Sequence, residues 1–322
     1  MPIHSLGYRE WSGPLESTSS RWTVIAGIGI RRAWQNMWLR RIMFFAGVPG
    51  VVMGFLIFGY ERAAEGGNSA AFMFSNLLQV FIQGPNHEAI IGGIMSPEIH
   101  QNLHEQRHLF WSSLLLTLYQ RSQAMMLIPV VGMIAPPLIS QDMRSRAFLL
   151  YFSRPISRVQ YVLGKAATVV LYLLLISFLP GILLYLTGVL LSPDISIVLH
   201  TWDIPLRIVV VSLVMIIPTT ALALMLSSLT TESRFASFAW FSVWIFGVFS
   251  YWVIASFSGS ISDRSPLEML SLYHVIYEVQ GWLLDVNQET VVDPGPRLAL
   301  LVMLTLVSLA ILFRRVSAPM RV

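Results

Sequence analysis

Six stretches of this chain are apolar for long enough to cross a lipid bilayer, separated by polar or arginine-bearing segments. A helix rising about 1.5 Å per residue needs about 20 mainly apolar residues to cross a hydrocarbon core about 30 Å thick. The first stretch runs from Ile42 to Tyr60 and the second from Ser122 to Gln141. The third lies within 166–193, the fourth covers Ile208 to Thr231, and the fifth lies within 235–262. The sixth, Leu298 to Phe313, is short, but Arg297 and Arg314 flank it and can snorkel to the two interfaces. The pattern predicts an all-α integral membrane protein with about six transmembrane helices.

Three further segments are more than short connections. Residues 20–41 place Trp22, Trp34 and Trp38 beside an arginine-rich surface, the pattern of an amphipathic helix lying in the membrane interface. The loop 61–121 holds two partly apolar stretches, 71–83 and 109–120, expected on or dipping into the outer leaflet. In the loop 263–297, Met269, Leu272, Ile276, Val279 and Leu283 recur at helical spacing, which predicts a helix packed on the bundle or on lipid. Within the spans, Ala46, Gly50 and Gly54 form a small-residue stripe suited to close helix packing. Pro180 and Pro218 predict kinks, and the fifth stretch carries an aromatic wall best explained by core and lipid contact. The expected organisation is residues 1–41 as a terminus with the interfacial helix, 42–316 as the six-helix membrane domain, and 317–322 as a tail.

Charge sets the expected orientation. If the N-terminus is cytoplasmic, the inner segments 1–41, 142–165, 232–234 and 314–322 hold fifteen of the 21 Lys and Arg residues and only four of the 17 acids. That matches the excess of Lys and Arg found in cytoplasmic loops, so both termini are expected in the cytoplasm. Of the 322 residues, 55% are hydrophobic and 12% charged, against about 25% charged in a soluble domain. The pI near 9.6 comes from cations spread between spans rather than clustered on one face, which argues against nucleic-acid binding. With no cysteine, disulfides, thiolate metal sites and cysteine nucleophiles are excluded. The first 20 residues lack an apolar core, so they do not read as a cleaved secretory signal.

At these boundaries no span contains Asp, Glu, Lys, Arg or His. Ion-coupled transporters place such groups inside the bundle, so coupling to an ion gradient is disfavoured. A P-loop needs G-x-x-x-x-G-K-[ST], and the only lysine, Lys165, is followed by Ala166 and lacks the first glycine. His104-Glu105-Gln106-Arg107-His108 matches H-E-x-x-H, in which two histidines one turn apart hold zinc and Glu activates water. It keeps open the alternative of a membrane zinc metallopeptidase using His104 and His108, with His87, Glu88 or His274 as conceivable further ligands. Against it stand Arg107 between the ligands and the simpler reading of a solvated amphipathic helix.

The segment 141–165, QDMRSRAFLLYFSRPISRVQYVLGK, places Asp142, Arg144, Arg146, Arg154, Arg158 and Lys165 around the apolar run FLLYF. It reads as a short helix, a break at Arg154-Pro155 and a new helical start at Ile156-Ser157, because proline disfavours helix in the residue before it. An apolar patch ringed by arginines suits protein docking. From the second span into the third, the acid Asp142, the run Arg154-Pro155-Ile156-Ser157-Arg158 and Gly164-Lys165 resemble the permeases of type-two ATP-binding cassette exporters. That family's usual acid is Glu, so Asp142 departs mildly. The resemblance implies a permease, not itself an enzyme, in the plasma membrane of a bacterium. It also implies a separate P-loop ATPase subunit carrying ATP and Mg²⁺, and a permease homodimer or heterodimer. No cofactor is expected on this chain. Asp142, Arg144, Arg146, Arg154, Pro155 and Arg158 are the expected ATPase-coupling surface.

Overall fold

The computed structural model describes residues 20–82, 85–95, 103–147, 156–257, 269–286 and 293–317, and all regular structure among them is helical. In chain order the elements are α1 (Arg21–Trp34), α2 (Met37–Leu78), α3 (Pro85–Met95), α4 (Leu103–Thr117), a π-helical turn (Leu118–Gln123) and α5 (Ala124–Arg144). There follow α6 (Arg158–Ile176), α7 (Phe178–Leu191), the one-turn α8 (Ile197–His200), α9 (Asp203–Leu229), α10 (Ser233–Phe257), α11 (Leu272–Leu284) and α12 (Pro294–Ser317). Six helical stretches are long and apolar enough to span a membrane: the first part of α2, then α5, α6 with α7, α9, α10 and α12.

The bundle is organised around α9, which packs against α5, α6, α7, α10, α11 and α12. Its most apolar window is 67% buried, whereas those of α2 and α10 are 22% and 17% buried. In lipid, a helix buried on all sides still has to satisfy every polar group internally. Pro136 and Pro137 in α5 supply no N–H, leaving the carbonyls one turn earlier without their helical donors. One neighbour supplies a missing donor, and further bonds from α9 and α10 hold the same stretch. Ser237 of α10 donates to the Gly132 carbonyl at 3.4 Å, and Trp240 donates its indole N–H to the Ile128 carbonyl at 2.8 Å. Ser227 of α9 accepts from the Ile139 and Ser140 amides at 3.1 and 3.2 Å and donates to the Pro136 carbonyl at 2.7 Å. The proline-bearing α5 is thus pinned between α9 and α10. Gly132 makes room for this contact, since a Cβ there would lie 2.6 Å from Phe241.

The helices extend past the apolar stretches that announce them. The first does not end at Tyr60 but runs on to Leu78, giving 42 residues. At about 1.5 Å per residue that is about 63 Å, twice the hydrocarbon thickness. Residues 109–120 pack inside the bundle. Phe110, Trp111, Leu114, Leu115, Leu118 and Tyr119 are almost fully buried in the bundle. Tyr60 stacks on Phe110 with ring centroids 4.2 Å apart, and Trp111 meets Tyr185 edge-on at 5.9 Å. No proline or glycine interrupts 103–128, so α4 continues through the π-helical turn into α5. That turn leaves the Gln120 carbonyl to accept from Tyr273 at 3.0 Å. The third span bends at Ser177, where Pro180 supplies no amide for the Ile176 carbonyl. The apolar stripe of 263–297 forms α11, whose Leu272, Ile276 and Val279 are buried against the bundle.

The amphipathic helix is shorter than residues 20–41. It breaks at Gln35–Asn36, and the Asn36 side chain caps α2 by accepting from the Trp38 amide at 3.0 Å. Ile25, Ala26 and Gly29 of α1 face α6. The approach is close: a Cβ on Gly29 would sit 2.4 Å from Thr168 Oγ1, and one on Gly164 would sit 2.7 Å from Ile25 and 2.8 Å from the Trp22 carbonyl. Tyr172 donates to the Ile30 carbonyl at 3.0 Å and stacks against Trp34. Gly29→Val therefore drives α1 off α6, at a cost on the order of 1–3 kcal/mol for overpacking. Gly27→Ala, with no atom within 4 Å of the new Cβ, leaves the docking intact. Thermal unfolding of the two variants in detergent separates the outcomes.

Candidate functional site

One end of the bundle gathers α1, the end of α5, the start of α6, the 230–232 connection and the end of α12. Here α5 stops because Arg146 takes a left-handed backbone conformation (φ 53°), and the Ala147 amide folds back to the Asp142 carbonyl at 2.9 Å. Helix α6 restarts with a capping box. Ser157 Oγ accepts from the Gln160 amide at 3.2 Å, and the Gln160 side chain accepts from the Ser157 amide at 3.0 Å. The helical start expected at Ile156-Ser157 is thus realised with Ser157 as its cap.

The predicted surface residues fall into two groups. Asp142 faces inward: its carboxylate lies 2.7 Å from the Lys165 ammonium and accepts from the Tyr161 hydroxyl at 2.8 Å. The Asp142 and Lys165 side chains are only 13% and 10% exposed. Asp142 therefore braces α5 against α6 beneath the loop and offers little charge to an outside partner. Arg144, Arg146 and Arg158 are exposed. Arg144 reaches Glu232 on the next connection at 3.1 Å, and Arg158 donates to Ser317 Oγ at the end of α12 at 3.0 Å. Arg154 and Pro155 lie outside the described residues. Sequence reading missed Tyr161 and Lys165 as partners of Asp142. The spacing of 161 and 165, one helical turn apart, was the available signal.

Beneath this rim, α1, α5 and α6 enclose a cavity of about 240 Å³ with Arg32, Asn36, Gln141, Asp142 and Lys165 among its lining residues. Gln141 Oε1 is buried there without a hydrogen-bond partner. The cavity places polar groups at the junction of α1 with α5 and α6.

The opposite end is built from ion pairs. Arg107 of α4 makes a bidentate pair with Glu61 of α2, at 3.0 and 2.8 Å, with both side chains 7% exposed. His108 meets Asp203 of α9 at 3.0 Å, and Asp203 also accepts from Arg207 at 2.7 Å. Arg207 goes on to the Leu283 carbonyl of α11 at 2.8 Å, while Arg297 of α12 pairs with Glu278 of α11. The H-E-x-x-H segment thus supplies cross-helix electrostatics: Arg107 and His108 clip α4 to α2 and α9. The His104 side chain lies outside the described residues. His87 contacts the Ser75 carbonyl, and His274 stacks on Tyr251 and bonds Ser271 Oγ. Burial pulls the His274 imidazole down to about 4. Among the described residues no cluster of three His, Asp or Glu side chains could hold a metal ion.

These features define a multi-pass helical membrane protein whose cationic rim is braced from below and whose far end is clamped by ion pairs. A family model of ABC-2 family transporter proteins matches residues 34–317, and the chain belongs to that family as a permease subunit of an ATP-binding cassette transporter. No curated protein matches it.

Asp142→Asn leaves Lys165 without a counter-charge in a nearly closed site, with an expected loss of about 3–5 kcal/mol of stability. Asp142→Asn combined with Lys165→Met removes both charges and recovers most of that loss. Unfolding midpoints of the single and double variants in detergent measure the coupling.

Proposed function

We propose that the chain is the permease of an exporter in a bacterial plasma membrane, working as a permease pair driven by separate ATPase subunits that dock on the arginine-bearing rim. The rim faces the cytoplasm in this reading, which accords with the concentration of Lys and Arg on that side. The observation that carries the proposal is the joining of an exposed rim to a buried brace. Arg144, Arg146 and Arg158 stand in solvent while Asp142, Tyr161 and Lys165 tie α5 to α6 directly below them.

A push on the loop between α5 and α6 then has a rigid route inward. The Asp142–Lys165 pair carries it from α6 to α5, and the glycine contacts at Gly29 and Gly164 carry it to α1. These three helices move together relative to α2, whose broad apolar face is left open for lipid, while α10 leaves a broad apolar face for the second permease. ATP and Mg²⁺ belong on the partner. Lys165, the only lysine, is held by Asp142 and Tyr161 surrounds rather than by a phosphate-binding loop.

Replacing Arg154 and Arg158 by Glu reverses two charges of the rim. The expected result is loss of ATPase co-purification and of substrate-stimulated hydrolysis, with little change in the unfolding midpoint because the bond of Arg158 to Ser317 is exposed. Full assembly and transport in that variant would contradict the docking assignment.

A further inference from the structure

A wide concavity lies outside the rim. A groove of about 960 Å³ runs between α2 and the α6–α7 bend, with Gly47, Gly50 and Gly54 on one wall and Leu179, Pro180 and Leu183 on the other. Its depth comes from missing side chains. A Cβ on Gly50 would meet Pro180 at 3.6 Å and one on Gly54 would meet Thr187 at 3.8 Å, while one on Gly47 would meet nothing within 4 Å. From Arg40 to Phe58 the groove follows α2 for about 27 Å, long enough to hold an extended acyl chain parallel to the membrane normal.

Its two ends differ. At the α1–α2 elbow the groove is lined by Trp34 and Arg40, and Arg40 also borders a second, smaller depression with Arg41 and Phe44. Tryptophan and arginine at one level mark the headgroup region. Arg40 makes no side-chain hydrogen bond or ion pair with any described residue, and residues 20–60 contain five arginines and no acid. The other end, at Phe58 and Leu191, is apolar.

We propose that this groove holds an anionic phospholipid of the adjoining leaflet, with its phosphate on Arg40 and an acyl chain along the glycine wall of α2. The guanidinium supplies planar donors that fit a phosphate, and a basic pocket between membrane helices is the chemistry that selects anionic headgroups. A second copy of the chain fits the groove less well, because a protein surface would have to bring its own acid to Arg40 at the headgroup level. Bound lipid would sit against the bend at Pro180 and against Trp34, which stacks on Tyr172, and so would stiffen the junction of α1, α2 and α6.

The test is native mass spectrometry of the full chain in detergent, titrated with phosphatidylglycerol or with phosphatidylcholine of the same acyl chains. The wild-type protein is expected to retain phosphatidylglycerol preferentially. Arg40→Gln lowers that retention about fivefold, the equivalent of about 1 kcal/mol for one basic residue at an anionic surface. Gly47→Leu, whose Cβ meets no atom within 4 Å, lowers retention of both lipids while the unfolding midpoint in lipid-free detergent does not fall. Equal retention of the two lipids, or no change in Arg40→Gln, would overturn the proposal. So would efficient disulfide cross-linking between copies carrying Val51→Cys, since the natural chain has no cysteine and Val51 lines the groove.

Discussion

Hydrocarbon offers no partner for a charge and no water for a broken backbone hydrogen bond, and the placement of polar groups in this bundle follows from that constraint. Ionisable side chains collect at the two ends of the helices, where each end solves the problem differently. At the far end, Arg107 with Glu61, Asp203 with His108 and Arg207, and Arg297 with Glu278 neutralise one another across five helices. At the rim, one pair, Asp142 with Lys165, is drawn inside, while the arginines around it stay in solvent. The first arrangement clamps. The second leaves cations available to a partner over a rigid base.

The same constraint governs the prolines. In α5, Ser237 donates to the Gly132 carbonyl that Pro136 leaves without its amide, and Ser227 and Trp240 add further bonds from α9 and α10 to the same stretch. These bonds fix the position of α5 between α9 and α10, just as the Asp142 brace fixes its end against α6. The rim is therefore connected to the centre of the bundle by polar contacts of defined geometry rather than by apolar packing alone. Transmission of a force through such a structure needs little local give, which suits a subunit driven from outside.

Six spans, an amphipathic helix ahead of the first of them and the restart of α6 at Ile156-Ser157 were legible in the sequence, because hydropathy, helical periodicity and the proline at 155 are local signals. The ends of the helices were not. Hydropathy marks where lipid stops, and α2 continues through Glu61 to Leu78, a stretch with no proline to end it although Gly66 and Gly67 weaken it. Residues 109–120 read as a partly apolar stretch of a long loop, flanked by Arg107, His108 and Arg121. Their charges are absorbed by Glu61, Asp203 and the Val80 carbonyl, partners 41 to 95 residues away in sequence. The inward turn of Asp142 was hidden for the same reason: a charge reads as exposed until its partner is known.

Site-specific photo-cross-linking from Arg146, whose side chain is exposed at the tip where α5 ends, tests the docking of an ATPase on the rim most directly. A photoreactive residue placed there in the full chain, irradiated in native membranes and followed by mass spectrometry, is predicted to capture a P-loop ATPase subunit. The yield should change when ATP is supplied. Capture of lipid or of nothing at Arg146, with an ATPase captured instead from the end bearing Arg107 and Asp203, would contradict the account.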